Sequence, residues 1–310
     1  MIAIAPADTP VGSPSLPPYG FPRPPSWDPE EDDDMASALK LSPALKALIK
    51  LPAARGSPTP APALPVLRGL FDRVRSRGEA GGIGRDTWLS MNTSALFAIN
   101  SPDALCALYD YAVASDNVRG RVQAAAVMRE SGLKSISFTG IPKVINNLNA
   151  LRDHMPEDVK AGLSTQSLRQ PTDIPALFAR GMALWDGIYE PHSKKLVAKL
   201  ADSHPDLPVH ILNSHYGPLL SDPAVQVPEG AFLLGRVLTS VIAIAGLRAQ
   251  TGVGPQVTSH VFGLKKALLE GGGGDGSVLQ GQEWLTSDEG VTWVIESVDE
   301  IGAVMRGEKQ

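Results

Sequence analysis

Cysteine is almost absent: Cys106 is the single thiol in 310 residues. No internal disulfide can form and no cysteine-based zinc site can be assembled, which fits a reducing intracellular home. Positive charge is also short, with 28 basic against 33 acidic side chains and a net charge of -5. Nothing is left over to neutralise phosphates along a duplex, so nucleic acid is excluded as an expected partner. Long apolar runs are missing too. The best stretch, Val237 to Leu247, is interrupted by Thr239, Ser240 and Gly246 and preceded by Arg236. It falls well short of the roughly 20 residues that cross a bilayer, and it reads as a buried core helix.

Proline is abundant, but unevenly so. Fifteen of the 27 prolines lie in the first 65 residues, where they remove backbone donors from any helix or sheet. Residues 1–65 are therefore expected to be a disordered segment, and the six carboxylates between Asp28 and Asp34 keep their part of it solvated. From Met35 to Phe71 acids vanish while Lys40, Lys46, Lys50, Arg55 and Arg68 remain. Ser42 can cap and Pro43 can open a short helix with Leu45, Leu48 and Ile49 on one face. A basic amphipathic helix without acids looks like a mitochondrial presequence. Mitochondrial delivery is expected if translation starts at Met35, and a cytoplasmic protein otherwise; a plain linker helix is the other reading.

From Val66 the chain turns to helical periodicity, with Leu67, Leu70, Phe71 and Val74 spaced three and four apart. Helices are expected over Asp86 to Ile99 and, after Asn100 or Ser101 as cap and Pro102, over Leu105 to Val113. More follow near Val122 to Arg129, Pro142 to Leu151, Ile174 to Tyr189, His192 to Leu200, Ala231 to Gln250, Pro255 to Glu270 and Val294 to Met305. No set of strands is convincing. The expectation is an all-α bundle in two halves, 66–155 and 175–310, joined by a polar linker over 156–174.

Three strings carry a resemblance. Phe138-Thr139-Gly140-Ile141-Pro142 with Asn146 forms a helix start, as do Pro255-Gln256-Val257-Thr258-Ser259-His260-Val261-Phe262-Gly263 and, more weakly, Gly187 to His192 running on to His215-Tyr216-Gly217-Pro218. Together they resemble the alkylhydroperoxidase D and carboxymuconolactone decarboxylase superfamily over Phe138 to Leu264. The resemblance implies an all-helical fold and assembly into trimers or hexamers. In the peroxidase branch it further implies a glutamate and a Cys-x-x-Cys pair ahead of the histidine. With His260 as that histidine, the cysteine positions fall on Val253 and Gln256 and the glutamate position near Val241. Without two thiols the dithiol cycle cannot run.

His260 is then the candidate catalytic residue. A neutral imidazole with an ordinary pKa around 6.5 can act as general base or acid on a small carboxylate or lactone, as in the decarboxylase branch, with no metal and no organic cofactor. The competing reading is a core histidine in a non-catalytic scaffold or assembly subunit. A third is a one-cysteine antioxidant using Cys106, although no basic residue within one turn would ionise that thiol. His204, His210 and His215 lie close in sequence, but gaps of six and five residues and the intervening Pro205 and Pro208 read as a solvated loop and no metal site. The runs Gly81-Gly82-Ile83-Gly84 and Gly271 to Gly274 follow no strand and cradle no phosphate.

Overall fold

A computed structural model describes residues 41–51, 56–170, 173–267 and 279–308. Among these there are fourteen α-helices, one π-helix and no strand, so the protein is all-α. The acidic block and Gly271 to Gly274 lie outside the described residues. The chain divides into two compact units, Met1–Gly56 and Ser57–Gln310.

The first unit contains α1, Pro43–Ile49. Ser42 Oγ accepts from the Leu45 N–H at 3.1 Å and proline occupies the first turn, as the sequence suggests. No residue of α1 is buried.

The second unit begins before position 66. Thr59 donates its N–H to Asn100 O at 2.8 Å and its hydroxyl to Ile99 O, while Ser101 Oγ donates to Thr59 O. Helix α2 (Leu64–Ala80) buries Leu67, Leu70, Phe71 and Val74, and the glycines after it link it to α3 (Arg85–Ile99). Every residue of α3 from Thr87 to Ala98 is buried. Beyond it come α4 (Pro102–Ala112), α5 (Val118–Thr139), α6 (Ile141–His154) and the short α7 (Glu157–Gly162) inside the expected linker. Next stand α8 (Ile174–Tyr189), α9 (Ser193–Ser203), α10 (Asp206–His210) and a π-helix, Ile211–Leu220. Last are α11 (Gly235–Gln250), α12 (Gly254–Lys266), α13 (Gln282–Leu285) and α14 (Asp288–Met305).

Helix α11 is buried from Val237 to Leu247, so the longest apolar run is indeed a core helix. It lies along α3, and Ser94 Oγ donates to Ile242 O at 2.7 Å between them. The two helices repeat one local pattern. Each starts Gly-Arg, at Gly84-Arg85 and Gly235-Arg236, and each ends sixteen residues on at a left-handed non-glycine residue, Asn100 (φ 60°) and Thr251 (φ 62°). In each case a helix with proline in its first turn follows.

At the Gly140 start Asn147 is buried, and its amide donates to Lys143 O and to Asn100 Oδ1. One stretch differs from expectation. The His204–His215 stretch is not a solvated loop but α10 and the π-helix. Pro218 within the latter has no N–H and crowds the preceding turn, and a widened π register relieves that clash.

Candidate functional site

His260 sits on α12, which opens with Pro255 and faces the core with Val257, His260, Gly263 and Leu264. Its ring is 4% exposed. Helix α8, capped by Asp173 Oδ1 on the Ala176 N–H and started by Pro175, buries Leu177, Gly181, Trp185 and Ile188 along one stripe. Where this stripe meets the π-helix, the backbones touch. A Cβ at Gly181 would stand 2.5 Å from Gly217 N and 2.6 Å from its Cα. That crossing delivers Tyr216 to Tyr189, whose hydroxyls pair at 2.9 Å.

Tyr189 Oη is also 3.5 Å from His260 Nε2. At that length the contact is weak, so the Nε2 side stays available to a third group. His260 Nδ1 has no hydrogen-bond partner. Aromatic rings wall the site: Phe138 meets His260 edge-on at 5.6 Å, and Trp185 packs on Tyr189 at 4.1 Å and on Tyr216 at 5.0 Å. Arg236 on α11 braces the frame by donating to Gly187 O (3.2 Å), Gly263 O (2.9 Å) and Ser240 Oγ (2.5 Å). Lys266 ties the far end of α12 to Ile188 O and Glu190 O.

Burial holds the His260 imidazole far below its usual 6.5, to about 3, and the Arg236 charge adds to the effect. Burial likewise raises the Tyr189 hydroxyl, and raises that of Tyr216 well above 10. At neutral pH the site is thus an uncharged imidazole beside two protonated phenols.

These groups line a cavity of about 440 Å³ bounded by α5, α8, α9, the π-helix, α11 and α12. Its lining holds no carboxylate; the polar members beyond the aromatic wall include Ser137, Lys199, His215 and Gln256. Ser137 Oγ and His215 Nδ1 are 2.9 Å apart, and burial followed by His210 lowers the His215 pKa. Of the positions that the superfamily resemblance singles out, Gln256 shares the cavity with His260, Val253 is the N-cap of α12, and Val241 is fully buried in α11. None carries a thiol or carboxylate.

Cys106 is elsewhere, half-buried on α4 with its Sγ 3.6 Å from Ala150 O. Burial, then Asp103 and Asp110, push its thiol up to about 11, which suppresses the thiolate. Among the described residues no group of three His, Cys, Asp or Glu could hold a metal ion, and no helix is long and apolar enough to cross a membrane.

The close crossing yields a test. Gly181→Ala is expected to cost about 2–3 kcal/mol, because backbone on the far side cannot yield as a side chain would. Gly69→Ala, at a helical glycine whose nearest neighbour is Arg73 Nη1 at 3.4 Å, is expected to be neutral or slightly stabilising. Denaturant midpoints for the two variants check this; equal stabilities would refute the crossing.

Fold and site together define an all-helical protein with a carboxylate-free, aromatic-walled cavity that holds His260 and His215. No family model matches the chain, and no solved structure does. The chain is similar to Peroxisomal protein 2 of Saccharomyces cerevisiae, 29% identical over 163 residues that cover 46% of this chain and 54% of the relative. It thus spans about half the length of the relative it matches.

Proposed function

We propose that this chain is a member of the alkylhydroperoxidase D and carboxymuconolactone decarboxylase kind that has lost the dithiol and works by acid–base catalysis, with His260 acting on a small organic substrate such as a carboxylate or lactone. One observation carries the reading: the buried His260 imidazole faces a cavity large enough for such a molecule, with the Tyr189 hydroxyl 3.5 Å from its Nε2. A histidine kept only for packing has no need of a cavity beside it. The purified chain, incubated with a panel of small carboxylates and lactones and followed by mass spectrometry, is expected to consume at least one of them. His260→Gln is expected to be about 10²–10⁴-fold slower with unchanged circular dichroism. Equal consumption by the variant overturns the proposal.

Self-association is part of the proposal. Ile174, Phe178 and Met182, four residues apart on α8, are all exposed and present one apolar stripe of the kind that helices bury against a second copy. The similarity to a protein named for the peroxisome supports that organelle as the compartment to examine first. Mitochondrial delivery through α1 is the alternative.

A further inference from the structure

We propose that Tyr189, backed by Tyr216, is the oxyanion donor of this site, and that the substrate is a carbonyl compound with an apolar body that His260 enolises. The inference rests on the acid–base reading above and deepens it by naming a second catalytic residue and a substrate class.

Three observations lead to it. The Tyr189 and Tyr216 hydroxyls are 2.9 Å apart on the same cavity as His260. With Tyr216 donating to Tyr189 Oη, the Tyr189 O–H is free to turn to a ligand, and a donor that itself accepts a hydrogen bond is polarised and stronger. Next, the donor and the base stand side by side, since Tyr189 Oη is 3.5 Å from His260 Nε2. A carbonyl oxygen on the tyrosine would leave its α-carbon within the imidazole's reach. Finally, the lining has no carboxylate to repel a developing oxyanion, and Phe138, Trp185, Tyr189 and Tyr216 give it an aromatic wall.

The step needs no co-reactant. His260 Nε2 takes the α-proton, the C–H electron pair becomes the C=C bond of an enolate, and the C=O π pair moves to oxygen, where the Tyr189 O–H meets the negative charge. The imidazolium returns the proton to the same or the vinylogous carbon, giving exchange or isomerisation. A desolvated imidazole is a weak base, so the reaction depends on how well the oxyanion is stabilised. That dependence assigns the tyrosine pair a task that packing alone does not.

The probes are 2-tetralone, a bicyclic ketone with acidic α-hydrogens, and 4-nitrophenol, whose anion imitates an enolate. α-Deuterium exchange of 2-tetralone in D₂O, read by NMR, is expected to run faster with the chain than in buffer. It should return to the buffer rate in His260→Gln, fall about 100-fold in Tyr189→Phe, and fall less in Tyr216→Phe. Bound 4-nitrophenol is expected to shift toward its anion, and Tyr189→Phe to abolish that shift while leaving 4-nitroanisole binding unchanged. If exchange needs His260 but is equal in Tyr189→Phe, the donor role is overturned and the acid–base reading stands. Exchange that survives His260→Gln overturns both. If there is neither exchange above buffer nor binding of 4-nitrophenol, the donor role and the substrate class are overturned alone, and His260 is left to the carboxylate and lactone panel.

Discussion

Lys134→Met is expected to destabilise the protein by about 3–5 kcal/mol, the cost of leaving a buried ion pair with one partner. Lys134 has no exposed surface, and its ammonium spends all three donors inside the fold: on Asp222 Oδ1 at 2.6 Å, on Leu220 O at 2.8 Å and on Thr239 Oγ1 at 2.8 Å. Asp222 in turn accepts the Gly235 N–H at 2.6 Å and so fixes the start of α11. Arg169 closes the group, bonding Glu130 through both terminal nitrogens and reaching Asp222 Oδ1 at 3.5 Å. Two cations and two carboxylates balance. Methionine keeps the length of the side chain but removes one charge, so the quartet becomes net negative where water cannot screen it. A fall in melting temperature on the order of 10 °C should accompany the loss. Adding Asp222→Asn to Lys134→Met should cost less than the two single changes summed, because the second removes the charge that the first stranded. A loss below about 1 kcal/mol for Lys134→Met would show that this cluster does not hold the π-helix to α11.

Nothing in the sequence marks Lys134 as buried, and that failure is informative. Leu133-Lys134-Ser135 reads as solvent-facing, and the expected helix there stopped at Arg129, whereas α5 runs on to Thr139. The serines that argue against a helix return their hydroxyls to the preceding turn, Ser131 to Val127 O, Ser135 to Ser131 O and Thr139 to Ser135 O. Local polarity is thereby satisfied, and the small residues let neighbours close in. Helices α8 and α12, by contrast, are legible because each has continuous periodicity and a proline in the first turn. His260 could be found in the sequence, since it stands on a periodic helix. Tyr189 and Tyr216 belong to the weakest of the quoted strings, and their meeting depends on the Gly181–Gly217 crossing. No periodicity reports a contact between elements 27 residues apart. His215 was lost with its segment, because prolines that usually break helices here start α10 and widen the π-helix. The repeated pattern of α3 and α11 also explains why there is one such site. Counting from the matched prolines, the position of His260 falls on Ala107 in the first half.

Acid should destabilise the wild type more than its His260→Gln variant, by about 2 kcal/mol between pH 7 and pH 5. The folded protein holds His260 neutral down to about pH 3, while the unfolded chain protonates it near 6.5. Between those values the unfolded state binds the extra proton, so stability from this group is fully present above 6.5 and drains away as pH falls toward 3. At about 1.4 kcal/mol per pH unit, the two unfolding curves should converge in acid and separate toward neutrality. All carboxylates and the other histidines are common to both proteins and cancel in the difference. Urea midpoints at pH 5, 6 and 7 supply the measurement, and a difference that stays flat with pH would mean that water or a counter-charge reaches the ring. The same depression carries a catalytic consequence. If His260 is the base, kcat/KM should show no acid limb between pH 5 and 7, because the imidazole never takes up a proton in that range. An acid limb near 6.5 would instead assign the proton transfer to a solvated group, and the desolvated ring would then lose its place in the chemistry.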